Sequence, residues 1–312
     1  MKRKNMVTAM TIVVGVVMCG GNTDVLASGS FFNKTTEYTD DNEYLEEYNF
    51  GGTEEYEDEN LYEENSSSLG FPDIHGIIVQ YNLEELQELA NEWGDKMRPL
   101  TNDRENLYVI NVVYDEEDNC YKGTDTKTED GYTYIGYELD DNKPSGVGVL
   151  YYGDIVEDWQ NVLHADRIVP KFMGEFIDGK PENMGLESFC ENEGGVSDTD
   201  TVFTFGEFKN GLLDGEGMFI CWQNDVQCYL CGEFKDGAAD GEMTMYTSDA
   251  IIFEGTMKDG CPCGKGKEYY GDGSLRYEGE FKDGLYDGEG TLYDEYGEEI
   301  YSGKWKEGEY VS

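Results

Sequence analysis

The amino-acid sequence predicts a mainly β fold: an elongated antiparallel sheet of stacked β-hairpins, with a small α+β cap on its N-terminal side. Three observations predict it. The 312 residues include 40 glycines, 24 tyrosines and 14 phenylalanines but only 6 prolines. That composition suits short strands joined by glycine turns, and disordered chains are poor in aromatic residues. The phrase "YEGEFKDGLYDGEGTLY" at 277–293 recurs along the chain with small changes. Within it, bulky and charged residues alternate, and a D-G pair then reverses the chain.

The repeat is fixed by its glycines. The first glycine of each successive unit is Gly136, Gly174, Gly206, Gly232, Gly255, Gly279 and Gly303, and the spacing settles to 24 residues toward the C-terminus. Gly206, Gly211, Gly215 and Gly217 match Gly255, Gly260, Gly264 and Gly266, and again Gly279, Gly284, Gly288 and Gly290; Gly232 and Gly237 mark the unit between. A bulky residue two after the first glycine recurs as Phe176, Phe208, Phe234, Met257, Phe281 and Trp305. A second column on the returning strand reads Ile220, Tyr246, Tyr269 and Tyr293.

Strand alternation puts Tyr277, Gly279 and Phe281 on one face, and Glu278, Glu280 and Lys282 on the other. The polar face then carries Glu207, Lys209, Glu233, Lys235, Glu280 and Lys282. The glycines turn the chain and admit rings against the backbone. "DGEG" is followed by no helix, so it is not a phosphate loop.

These units resemble MORN repeats, whose pattern is an aromatic, any residue and Gly, followed by a spaced Gly-x-Gly. "YYGDGSLRYEGEFKDG" is also similar to the repeats of bacterial YwqK-type antitoxin proteins. The resemblance covers about 132–312. Three units depart from it: "YIGYELDDNKPSGVG" carries an extra residue, "FMGEFIDGKPENMG" keeps only Gly185 of its second pair, and "GEM" at 241–243 replaces Gly-x-Gly. The resemblance implies a long sheet of hairpins with a scaffold or binding role, and no catalysis.

Charge narrows the partners. Asp and Glu number 68 against 22 Lys and Arg, a net charge of −46. Nucleic acid or an anionic membrane would require a basic patch, and no basic run follows Lys4. Residues 1–27 read as a cleaved secretory signal, with Lys2, Arg3 and Lys4 before the apolar stretch Met6–Cys19 and a cleavage site after Ala27. Met18 argues against lipid attachment at Cys19. Residues 28–72 read as an acidic low-complexity spacer, 73–131 as the α+β cap and 132–312 as the repeat domain. The chain is therefore expected to be secreted or at the cell surface.

In the cap, "HGIIVQY" (75–81) reads as a strand. "NLEELQELANEW" (82–93) reads as a helix with Asn82 as N-cap and Leu83, Leu86, Ala90 and Trp93 at helical spacing, and "NLYVINVVYD" (106–115) as a second strand. The helix is expected to cover the first end of the sheet.

No constellation for catalysis emerges. His75 and His164 are the two histidines. His164 lies near Asp158 and Asp166 in the insertion 158–170, without a nucleophile motif. The acids recur with the repeat, which favours a charged surface over a glycosidase pair. No segment fits a calcium loop. No cofactor and no specific metal is expected.

Of the cysteines after Cys19, thiols are the first reading and a disulfide between Cys221 and Cys228, facing across a hairpin, the second. Zinc at "CYLC" and "CPC" comes third, because the spacing is wrong. The sequence reads as a non-enzymatic, exported binding or scaffold protein with a protein partner, or alternatively a cell-wall glycan.

Overall fold

The computed structural model describes residues 74–102, 106–125, 131–153, 155–156, 170–189, 202–223, 226–248 and 250–311. The stretch 1–27 read as a signal, the acidic run 28–72 and His164 lie outside the described residues. Two helices come first, α1 (Ile74–Tyr81) and α2 (Glu84–Asn102). Strands β1 (Tyr108–Asp115) and β2 (Cys120–Gly123) follow.

The repeats then supply hairpins in order: β3 (Tyr132–Asp140) with β4 (Lys143–Tyr152), β5 (Phe172–Ile177) with β6 (Lys180–Phe189), and β7 (Val202–Lys209) with β8 (Leu212–Gln223). Next come β9 (Val226–Lys235) with β10 (Ala238–Thr247), β11 (Ile251–Lys258) with β12 (Cys261–Tyr269), and β13 (Leu275–Lys282) with β14 (Leu285–Tyr293). Strands β15 (Glu299–Lys306) and β16 (Glu309–Tyr310) are last. All sixteen strands form one open antiparallel sheet in chain order, except that β1 pairs with β3 and β2 lies outside β1.

The hairpin turns follow from the D-G and N-G pairs. Asp283 and Gly284 have φ of 49° and 79°, the left-handed pair of a tight hairpin turn. The Gly284 N–H donates to Pro262 O of the preceding hairpin at 3.1 Å, and Gly211, Gly237, Gly260 and Gly308 repeat this bond. Each turn is thereby tied to the one before it.

The register produces a row of glycines across the sheet. Gly136, Gly148, Gly174, Gly185, Gly206, Gly217 and Gly232 pair in succession, as do Gly255, Gly266, Gly279, Gly290 and Gly303; only Met243 interrupts. Rings lie on this row. Tyr134, Phe172, Phe253, Tyr277 and Tyr301, each two residues before a first glycine, lie close over the glycines. The Tyr277 hydroxyl reaches past the row to donate to Glu280 O at 3.1 Å.

Phe281 and Trp305 meet Tyr277 edge to face at 5.2 and 5.6 Å, and Tyr286 stacks on it at 3.7 Å. This ring face is buried by its own side chains: Phe176, Phe208, Phe234, Met257, Phe281 and Trp305 are all buried.

The opposite, helix face differs from the sequence reading. "HGIIVQY" is the helix α1, not a strand. Ile74, Ile77 and Ile78 fall at helical spacing and are buried against the sheet, and a short β-branched run does not by itself separate the two states. Asn82 is not the N-cap of α2. It sits at φ 53° and closes α1, with Leu83 N–H donating to Ile78 O (2.9 Å) and Asn82 N–H to Val79 O (3.3 Å).

Helix α2 crosses the strands instead of covering the sheet's end. Trp93 packs on Phe205 of β7, Lys96 pairs with Glu175 of β5, and Tyr137 of β3 donates to Pro99 O. The first end is covered by β2. Tyr121 N–H donates to Gly179 O (2.8 Å) and Gly123 N–H to Asn142 O (2.7 Å), so β2 runs over the hairpin turns.

A Cβ at Gly290 would lie 2.1 Å from the Tyr277 hydroxyl, whereas one at Gly271 would meet nothing within 4 Å. Gly290→Ala is expected to cost about 1–3 kcal/mol by overpacking, and Gly271→Ala less than about 0.5 kcal/mol. Thermal melts of both variants check this. Equal melting temperatures would dismiss the ring-on-glycine contact as a constraint.

Candidate binding surface

The helix face changes character part-way along the sheet, and two columns of the repeat record the change. The residue just before each first glycine is Ile135, Met173, Phe205 and Cys231, then Glu254, Glu278 and Ser302. The residue one strand over, after the paired position, is Val149, Leu186 and Met218, then Thr244, Lys267 and Thr291. The apolar members are buried with α1 and α2 in one core. Tyr81 closes the covered part, packing on Tyr229 and Tyr246 at 5.0 and 4.9 Å and donating to Thr247 O at 2.8 Å.

Beyond Tyr246 the face is open and polar. Glu254, Lys267, Glu278, Thr291 and Ser302 lie opposite one another across β11–β15. At the usual strand spacing this ladder is about 19 Å long. Lys267 and Glu278 pair at 3.9 Å, and the Thr291 and Ser302 hydroxyls meet at 2.9 Å. A parallel row holds Lys265 opposite Glu280, and Glu289 opposite Lys304. Lys265, Lys267, Glu278, Glu289 and Lys304 are exposed. Among the described residues Lys265 and Lys304 are in no ion pair.

The glutamate after the first glycine has another task. Glu280 accepts the Glu289 N–H at 3.0 Å, and Glu207 accepts the Glu216 N–H at 3.2 Å. Their carboxylates lie over Gly288 and Gly215, and that of Glu233 over Gly241. These three acids brace the bulge of each hairpin. Lys209, Lys235 and Lys282 project outward beside the turns. Of the six polar-face residues named from the sequence, the lysines are thus the ones left for a partner.

Five segments match the family model of the MORN repeat: 138–154, 172–192, 205–221, 253–275 and 277–295. The chain carries MORN repeats. The matches include two early units that depart from the pattern and omit the unit in which Met243 interrupts the glycine row. MORN repeats are generally protein- or membrane-binding modules, and proteins built of them are typically non-catalytic scaffolds. No curated protein matches the chain.

Two MORN units hold a largely buried ion pair at equivalent positions, with Glu268 buried and Lys171, Glu187 and Arg276 half-buried. Glu187 and Glu268, each two residues after the returning-strand glycine, lie on the ring face. Lys171 pairs with Glu187 at 2.8 Å and Arg276 with Glu268. Tyr286 also donates to Glu268 at 2.6 Å. Each base precedes the ring that lies on the glycine row, Phe172 or Tyr277. Sequence reasoning missed both pairs, although a Lys or Arg before the MORN aromatic was a readable signal.

The remaining candidates are dispersed. His75 is exposed on α1. Among the described residues no three His, Cys, Asp or Glu side chains group as metal ligands. Cys120, Cys221, Cys228, Cys231 and Cys263 are thiols, and Cys261 is disulfide-bonded. Burial pushes the Cys231 thiol up.

Burial also lifts the Glu187 carboxyl above its ordinary value of 4.5, and Lys171 offsets part of the rise. A carboxyl raised in the folded state holds its proton more tightly folded than unfolded. Its contribution therefore weakens the fold as pH rises above about 4.5. Glu187→Gln lacks this loss, so the stability of wild type minus that of the variant is expected to fall as pH rises above about 4.5. Urea unfolding across this range measures it. A difference that stays level or grows would contradict the assignment.

Proposed function

We propose that the chain is a non-enzymatic protein of the bacterial exported MORN type, a binding or scaffold protein that takes a protein partner on the open ladder of β11–β15. The observation that carries this reading is the ladder itself: five strands of in-register polar side chains beginning where the helices stop, with Lys267, Glu278 and Ser302 exposed. Side chains on a preformed sheet lose little freedom on binding, which favours such a surface over a loop. Lys265 and Lys304 supply cationic points outside any ion pair on this face, and opposed charges steer and align a partner. Export rests on residues 1–27, and the net charge of −46 argues against nucleic acid and anionic lipid.

The glycan alternative calls for aromatic platforms open to solvent. Trp305 is buried, and Trp93 Nε1–H donates to Met173 O at 3.1 Å beneath the helix. Those two side chains are engaged in packing and offer no such platform.

The test incubates residues 28–312 with peptidoglycan, anionic liposomes and a cell-surface protein extract at physiological salt. Capture of one protein is expected, and Lys265→Glu with Lys304→Glu should weaken it at least tenfold, about 1.4 kcal/mol. Retention on peptidoglycan alone would transfer the assignment to the glycan reading. Liposome binding that the double variant leaves intact would refute the ladder.

A further inference from the structure

The hairpin β8–β9 projects beyond its neighbours. Strand β8 runs for 12 residues, against 9 in β12 and β14. Its pairing with β7 ends at Ile220, and the pairing of β9 with β10 ends at Cys228, while β8 and β9 continue together to Gln223 and Val226. At the base of this two-stranded overhang Cys221 and Cys228 stand directly opposite each other.

We propose that Cys221 and Cys228 form a reversible dithiol–disulfide site, oxidised by low-molecular-mass disulfides. Directly opposed residues of an antiparallel pair have Cα atoms about 4.5 or 5.5 Å apart, and a disulfide accepts about 4.4–6.8 Å. No strand has to move. Opposed side chains also share one face of the sheet, and here the two thiols are hydrogen-bonded to each other. Cys221 donates, which raises its own thiol and lowers that of Cys228. That hydrogen bond favours the thiolate on Cys228, and Cys221 is the less buried residue of the two.

The other described thiols lack such a mate. Cys120 stands opposite Asp115, and Cys231 opposite Met218 and Thr244.

The reaction balances with an external disulfide RS–SR. The Cys228 thiolate attacks one of its sulfurs, forming a mixed disulfide and releasing RS⁻. Cys221, its proton lost to solvent, then attacks Cys228 Sγ and expels the second RS⁻. The protein pair gives up two electrons, and RS–SR takes them up as two thiols. Once closed, the bond holds the overhang in register at its base. The inference is independent of the partner proposed above.

The full chain would be equilibrated in glutathione buffers of increasing disulfide fraction, then alkylated and mapped by peptide mass. The expected result is joint protection of Cys221 and Cys228, a peptide two hydrogens lighter, and full reversal by dithiothreitol. In Cys221→Ser a glutathione adduct should persist on Cys228, where the wild type resolves it. The proposal is overturned if both wild-type residues stay alkylatable throughout. It is also overturned if Cys228 links to a different cysteine, or if Cys221→Ser accumulates no adduct.

Discussion

The sheet depends on one steric relation, a ring lying flat on a pair of glycines that have no Cβ to keep it away. Burying such an aromatic side chain is worth roughly 1.5–3 kcal/mol. Each glycine in a strand gives back roughly 0.5–1 kcal/mol of backbone entropy, so two glycines per ring consume much of the gain. The margin comes from neighbours: Tyr277 is covered by Phe281, Tyr286 and Trp305, which belong to its own hairpin and the next. A unit alone would expose its ring, which is the physical reason the phrase must repeat. The Met243 position shows the same constraint met differently, its own side chain lying over Gly232 where no glycine partner stands opposite.

A strongly acidic chain has to place its carboxylates where they do not oppose folding. Within the hairpins many are given backbone partners. Glu207 and Glu280 accept N–H groups at the bulges, and Asp214 and Asp287 accept the N–H groups of Asp236 and Glu307 at the following turns. Lys306 and the Glu307 N–H hold the Asp287 carboxyl below its ordinary value. Glu187 and Glu268 are the costly cases, because burying an ion removes its hydration. Each has a base within reach on an adjacent strand, so neither charge is left uncompensated. Repetition of acid residues therefore reflects repetition of a fold device, and only part of the charge is free to meet a partner.

Much of the fold was legible because the repeat fixes it locally. Gly284 after Asp283 dictates the turn, alternation assigns Tyr277 and Phe281 to one face, and the bulky column ending in Trp305 lies on that same face. Legibility failed where tertiary contact decides. "HGIIVQY" has the composition of a strand, but its two isoleucines and the preceding Ile74 bury as one helical stripe against the sheet. Asn82, a good cap at either end of a helix, closes α1 because its short polar side chain tolerates the left-handed conformation. The acids of the polar face look like available surface in the sequence, which does not show that Glu280 folds back over Gly288. The extent of the open ladder was readable in principle, from the change of Phe205 and Cys231 to Glu254 and Glu278 at one repeat position.

That change sets the limit of the helical cover, and the helices' own length sets it again. Nineteen residues of α2 span about 28 Å, close to the roughly 24 Å across β3–β8, and the chain's contacts run in that order: Trp93 at β7, Lys96 at β5, Pro99 at β3. Helix α1, eight residues long, adds about 12 Å and brings Tyr81 to β9 and β10. Extending either helix over β11 would bury Glu254 and Lys267, whose desolvation would outweigh any apolar gain. Shortening them would expose Phe205 and Met218. The boundary at Tyr246 is thus fixed twice, by helix length and by the polarity of the strands beneath. The uncovered ladder follows from the repeat sequence itself.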